Sequence, residues 1–135
     1  MLGAAEYVAD ALADLLKAQG HDPQIHLEPT LAQLPREGTW LICTSTHGAG
    51  ELPDNIQPFS EQLASQPDLG LVRFAVFALG DSSYDTFCQG GKTLEQQLLA
   101  CQAKPLWPRL DIDVQDPALP EETAEAWLKD HLDRI

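Results

Sequence analysis

Two continuous apolar runs constrain the fold of this chain most strongly. Trp40–Cys43 and Phe74–Ala78, the second within the predicted strand Leu71–Leu79, lack the strict alternation of apolar and polar residues that a half-exposed strand shows. Such runs are typical of strands that are buried on both faces of a parallel sheet. Because segments with helical spacing separate and flank them, the sequence predicts an α/β domain with helices on both faces of a parallel sheet.

Four segments carry apolar residues at helical spacing. The first helix is predicted at residues 4–19, where Gly20 provides a C-terminal stop. The second is predicted from Pro58 to about Gln66, because proline is tolerated in the first turn of a helix. A third helix buries Leu94, Leu98 and Cys101. A fourth begins at Pro120 and presents one apolar stripe, formed by Ala124, Trp127, Leu128, His131 and Ile135.

Two weaker strand candidates complete the pattern. They are Gln24–Leu27 and Pro105–Ile112, and Pro108 confines the second to a sheet edge because proline has no N–H to donate. No repeat or linker divides the chain, so residues 1–135 are predicted to form a single domain with one core.

The charge of the chain excludes some classes of partner. Eight Lys and Arg residues stand against 21 Asp and Glu residues, which gives a formal net charge of −13. Nucleic acid and anionic membrane would be repelled, whereas a basic protein would be attracted over a long range. We therefore expect no nucleic-acid or membrane target.

The three cysteines, Cys43, Cys88 and Cys101, contain no Cys-x-x-Cys pair. Neither a disulfide framework nor a metal site is indicated. The sequence shows no secretory leader, and no apolar run approaches the roughly 20 residues that span a bilayer. We expect a cytoplasmic protein with reduced thiols.

The loops that follow the two apolar runs carry the functional signal. They contain Ser45–Asn55 and Leu79–Cys88, which are rich in glycine, hydroxyl and ring side chains. Ligands of open parallel sheets bind outside the carboxyl ends of the strands, where such loops emerge. The two loops therefore predict one shared planar ligand.

The two loops contain motifs that stand in a fixed order and about thirty residues apart, namely Ser45-Thr46-His47-Gly48-Ala49-Gly50 and Leu79-Gly80-Asp81-Ser82-Ser83-Tyr84. With these motifs the chain resembles the flavodoxin family, in particular its short MioC-type members. The resemblance implies a three-layer sandwich with strand order 2-1-3-4-5 and one non-covalently bound FMN. It implies a carrier of single electrons without catalytic residues of its own. The implied partners are a basic flavodoxin or ferredoxin reductase and a downstream metalloenzyme, and the MioC resemblance suggests a role in biotin synthesis.

By the same resemblance, both loops contact the flavin. Thr46, His47 and Gly48 would form one wall of the ring site, and Tyr84 would stack on the other face. Leu79, Gly80 and Asp81 would offer backbone groups, Phe87 would pack beneath the loop, and Cys88 would approach the ring or serve as packing. The complete set of predicted cofactor-binding residues is Gly3, Ser45, Thr46, His47, Gly48, Ala49, Gly50, Leu79, Gly80, Asp81, Tyr84, Phe87 and Cys88.

The chain departs from the family pattern at its start. A member would carry a hydrophobic strand and a Ser/Thr-rich phosphate loop before the first helix, whereas only Leu2-Gly3-Ala4-Ala5 match here. The missing strand would be internal to the sheet, and we expect weak retention of the FMN phosphate by the chain as written. The alternative function is therefore a flavin-free interaction domain.

Simpler interpretations of the loops stay open. The glycines could form only a tight turn, with His47 as a solvated loop residue. A hydrolytic triad of Ser45, His47 and Asp81 is disfavoured, because no Gly-x-Ser-x-Gly elbow is present.

Overall fold

A central parallel sheet lies between two layers of helices in the computed structural model, which describes residues 2–47 and 50–135. Strand β1 (Gly38–Thr44) pairs with β2 (Val72–Gly80) from Gly38 opposite Val72 to Thr44 opposite Ala78. On its other side, β2 pairs with the short strands β3 (Lys104–Pro105) and β4 (Leu110–Asp113). The helices are α1 (Leu2–Ala18), α2 (Gln57–Ala64), α3 (Gln89–Ala100) and α4 (Pro120–His131).

Strand β2 forms the centre of both halves of the core. Its residues Phe74, Val76 and Ala78 pack in one cluster with buried side chains of α2 and α3. The alternate residues Ala75, Phe77 and Leu79 pack in a second cluster with α1 and α4. Since successive side chains of a strand point to opposite faces, these two clusters confirm the predicted α/β sandwich.

The prediction of a strand at Gln24–Leu27 is wrong. This segment forms no strand within the described part of the chain, and Ile25 and Leu27 are 43% and 45% exposed. A cavity of about 590 Å³ lies between α1, this segment and β1. The Leu27 carbonyl accepts a hydrogen bond from the Asn55 side chain instead of from a neighbouring strand. A segment this short is not extended into a strand without a backbone partner for its polar groups.

The predicted strand Pro105–Ile112 is divided in two. Between Pro105 and Leu110 the chain advances five residues, whereas β2 advances only three, from Phe74 to Phe77. The two extra residues interrupt the pairing with β2 at residues 106–109, where Pro108 has no N–H to donate. Both pieces lie at the sheet edge, as Pro108 predicted.

The four predicted helices are confirmed with small changes at their ends. The first helix ends at Ala18, and Gly20 then adopts a positive φ of 89° that reverses the chain. Of the helices in the described ranges, none has both the length and the apolar character that crossing a membrane requires.

Candidate functional site

The loops that follow β1 and β2 meet at the carboxyl end of the sheet, and the start of α3 joins them. The backbone N–H of Gly90 donates to Thr46 Oγ1 at 2.9 Å. A Cβ atom at Gly90 would lie 2.7 Å from the Ser45 carbonyl oxygen, so the absence of a side chain allows this approach. Thr46 is thereby fixed through its hydroxyl to the helix that follows the second loop.

The first loop folds back on itself at His47. The His47 N–H donates to the Glu51 carbonyl, and the Glu51 N–H donates to the His47 carbonyl, both at 2.7 Å. Gly50 has φ +103°, a conformation that side-chain-bearing residues rarely adopt. This tight turn holds His47 at the end of β1.

A cavity of about 320 Å³ lies between the two loops. It is lined by Thr46, His47, Asp81, Tyr84 and Thr86. Tyr84 is 64% exposed, although it is a large aromatic residue on a loop that side-chain hydrogen bonds fix in place. The volume is at the lower end of that of small-molecule sites, and an exposed ring at a cavity that a second ring also lines suits a planar ligand.

The structure therefore brings four of the predicted site residues together, namely Thr46, His47, Asp81 and Tyr84. The predicted residues Gly48 and Ala49 lie outside the described residues. Gly3 lies in the first turn of α1. The contacts of all these residues with a ligand stay predictions.

The other predicted residues lie behind the cavity. Leu79 is buried in the core cluster with α1 and α4, and the Gly80 carbonyl accepts a hydrogen bond from the Val114 N–H at 2.8 Å. Phe87 is partly buried and packs against the opposite cluster. Ser45 and Gly50 contact α3 through the Ser45 carbonyl and the Gln89 side chain.

Cys88 is fully buried at the start of α3, where it has a left-handed φ of 56°. Its thiol donates to the Ala78 carbonyl at 3.4 Å. Burial, followed by the nearby charge of Asp111, raises the pKa of the Cys88 thiol to about 12. Cys88 is thus a neutral packing group at physiological pH, and not a nucleophile.

A network of hydrogen bonds joins the loop after β2 to the loop after β4. Asp81 Oδ1 accepts from the backbone N–H and the hydroxyl of Ser83, at 2.9 and 2.5 Å. Asp81 Oδ2 accepts from the Gln115 side chain at 2.9 Å. Asp113 Oδ1 accepts from the backbone N–H groups of Ser82 and Gln115, at 3.2 and 2.9 Å.

These donors change the acidity of both carboxyl groups. Hydrogen bonds from Ser83, and less from Gln115, lower the pKa of Asp81 below its usual 3.8. The pKa of Asp113 is also lowered. The hydrogen bond from the Ser82 hydroxyl has the largest effect, and the one from the Gln115 N–H comes next. Since the ionised forms are the ones favoured by folding, the network contributes stability above about pH 4 and loses it as pH falls through the lowered pKa values.

We expect Asp113→Asn to lower the melting temperature at about pH 7, and to lower it progressively less as pH falls through the lowered pKa of Asp113, because acid then removes the same negative charge from the wild type. Thermal melts of both proteins over this range measure the difference. A difference that is equal at both ends would show that the Asp113 charge does not stabilise the loop.

Sequence reasoning missed Thr86, Gln115 and the pair Gly90-Gly91. The glycine pair at a helix start was a usable signal of close packing, whereas the pattern around Gln115 gave none. Asp111, which follows the start of β4, forms hydrogen bonds with Arg109 at 2.6 and 3.2 Å. Arg109 thus forms ion pairs with both Asp111 and Glu95.

Comparisons with known proteins agree with this architecture. The family model described as Flavodoxin matches residues 1–127. A MioC homologue from Haemophilus influenzae is 47% identical over 135 residues, which cover 99% of this chain and 92% of the relative. The chain also matches 21% of the sulfite reductase [NADPH] flavoprotein alpha-component of a Shewanella species, at 39% identity over 95% of this chain.

A solved structure shows the same similarity in three dimensions. A mutant flavodoxin from Pseudomonas aeruginosa superposes with a TM-score of 0.88 at 35% sequence identity. The superposition covers 99% of this chain and 92% of the other. The similarity thus extends over nearly the whole length of both chains.

Proposed function

Because the chain belongs to the flavodoxin family, whose cofactor is FMN, we propose that it is a one-electron carrier between a basic reductase and a metalloenzyme. The observation that carries the proposal is the exposed Tyr84 ring at a cavity that His47 also lines. An aromatic side chain left in water beside a second ring is suited to stacking on a flat ligand.

The residues of the cavity divide into those that contact the ring and those that hold the walls. Tyr84 and His47 present rings to the cofactor. Thr46 is engaged with Gly90, so its role is to fix the wall formed by the first loop. FMN supplies the redox chemistry, while the protein sets its orientation, exposure and potential.

The phosphate end needs donors that the cavity does not offer. Its five described lining residues include neither Lys nor Arg. The first turn of α1 carries no acidic side chain, so its free N–H groups near Gly3 are suited to an anion. We assign the phosphate to this helix start.

Carboxylates surround the opening of the cavity. Asp81 lines it, and the exposed Glu51 and Asp85 lie on the two loops. Negative charge opposes the addition of electrons to a bound group, so these residues lower its reduction potential. The same charge favours a reductase with a basic docking face.

The cysteines and the relatives of the chain suggest where the protein acts and with which partners. We place the protein in the cytoplasm, because Cys43, Cys88 and Cys101 are free thiols. The similarity to a domain-length part of a sulfite reductase flavoprotein supports the proposal that this protein exchanges electrons with a partner protein. We propose a metalloenzyme of biotin synthesis as the acceptor, as the resemblance of the two loops implies.

Titration of the flavin-free protein with FMN tests the proposal. Quenching of flavin fluorescence with saturation at one FMN per chain is expected, followed by reversible reduction by a flavodoxin reductase. Riboflavin, which lacks the phosphate, should bind more weakly if the start of α1 contributes. The absence of saturable FMN binding would refute the proposed function.

The rate of electron transfer from a basic reductase is expected to fall as salt is added. A net charge of −13 steers association over about one Debye length, roughly 10 Å at 0.1 M. Stopped-flow rates at increasing ionic strength measure this effect. Rates that are independent of ionic strength would exclude electrostatic docking.

A further inference from the structure

We propose that Gln115 is a positioning residue, which fixes the Tyr84 loop for the flavin ring by donating its side-chain amide to Asp81. Gln115 lies on the loop after β4 and does not line the 320 Å³ cavity. Its Nε2 lies 2.9 Å from Asp81 Oδ2. The inference rests on the proposed function, because it assigns Gln115 a part in holding the same cofactor.

The connection from Gln115 to Tyr84 is short and continuous. Asp81 accepts from Gln115 with one oxygen and from Ser83 with the other, so Gln115 fixes the orientation of the carboxylate that holds Ser83. The Tyr84 N–H donates to the Asp81 carbonyl at 3.1 Å. The loop has few other restraints, since Ser82, Ser83 and Tyr84 are all exposed.

The backbone on the β4 side is itself anchored. The Val114 N–H donates to the Gly80 carbonyl, which extends the pairing of β4 with β2 by one residue. Asp113 Oδ1 accepts from both the Gln115 and the Ser82 N–H groups. Gln115 therefore reaches Asp81 from a rigid base, which is what a group that positions a loop requires.

The test exchanges the hydrogen-bond donor at position 115 and the acceptor at position 81. Gln115→Glu keeps the size of the side chain but places an acceptor against the Asp81 carboxylate. Asp81→Asn then restores a donor towards position 115, while its remaining oxygen still accepts from Ser83. The double variant also has the net charge of the wild type, so charge alone does not explain a recovery.

FMN dissociation constants of the wild type, both single variants and the double variant complete the cycle. We expect Gln115→Glu to weaken FMN binding about five- to tenfold, as loss of one typical hydrogen bond of an exposed loop implies. The double variant should return to within about threefold of the wild type, which additive single effects would not give. Gln19→Ala, on the exposed turn after α1, is the control and should bind like the wild type.

Backbone amide NMR of Ser83 and Tyr84 without FMN tests the positioning role of Gln115 separately from the proposed function of the protein. Shifts that move in Gln115→Glu and return in the double variant support the positioning role, even if the wild type binds no FMN and the proposed function fails. Unchanged amide shifts in Gln115→Glu would overturn the role, and so would an unchanged FMN affinity of that variant where the wild type binds FMN. Failure of the double variant to restore the shifts would overturn it as well.

Discussion

Gly91→Ala is expected to lower the free energy of unfolding by about 2 kcal/mol, although alanine is the better helix former. A Cβ atom at Gly91 would lie 2.3 Å from Ala78 Cβ and 3.4 Å from Val76 Cγ1. Both neighbours are buried in β2, so α3 would have to move away from the sheet. The gain in helix propensity, at most about 1 kcal/mol, is smaller than typical costs of overpacking.

Denaturant unfolding of Gly91→Ala, with Gly70→Ala as the matched control, measures this effect. A new Cβ at Gly70 meets only the Asp68 carboxylate, at 3.2 Å, an exposed group that accepts a hydrogen bond from the Gly70 N–H and can shift into solvent. Adding Ala78→Gly to Gly91→Ala removes the methyl group in conflict, so the double variant should lose less stability than the sum of the single losses. Wild-type stability of Gly91→Ala would mean that α3 is not closely packed on β2.

Tyr84→Ala is expected to weaken FMN binding tenfold or more, whereas His47→Ala weakens it less. The phenol ring offers more contact area to a flat ligand than the imidazole, and aromatic pairs add about 0.5–1.5 kcal/mol beyond area burial. The ring is already exposed in the flavin-free protein, so its removal leaves no buried cavity. The loss should therefore appear in affinity and not in stability.

Fluorescence titrations of four variants test this expectation, namely Tyr84→Ala, His47→Ala, Tyr84→Phe and Tyr7→Ala. Tyr84→Phe should retain affinity, because stacking requires the ring and not the hydroxyl. Tyr7→Ala, which removes a tyrosine of similar exposure from α1, is the control. A larger loss in His47→Ala than in Tyr84→Ala would reverse the assignment of the two faces of the site.

The sequence by itself determined the fold class, the central strands and the two functional loops. The apolar runs at β1 and β2 were visible because strands buried on both faces cannot contain polar residues at regular intervals. The loops were visible because their glycine and hydroxyl residues follow those runs directly. Their assignment to a flavin came from the family resemblance. The comparisons confirm the family, and the contacts of the loops with the flavin stay predictions.

Only the tertiary structure decided which parts of these loops act together. The strand predicted at Gln24–Leu27 does not form, because local apolar pattern does not supply a neighbouring backbone. Likewise, the division of Pro105–Ile112 depends on its register against β2. The roles of Gly91 and Gln115 depend on atoms of Ala78 and Asp81 that are distant in sequence. Such contacts exist only once the sheet and its crossovers are assembled, so no local pattern encodes them.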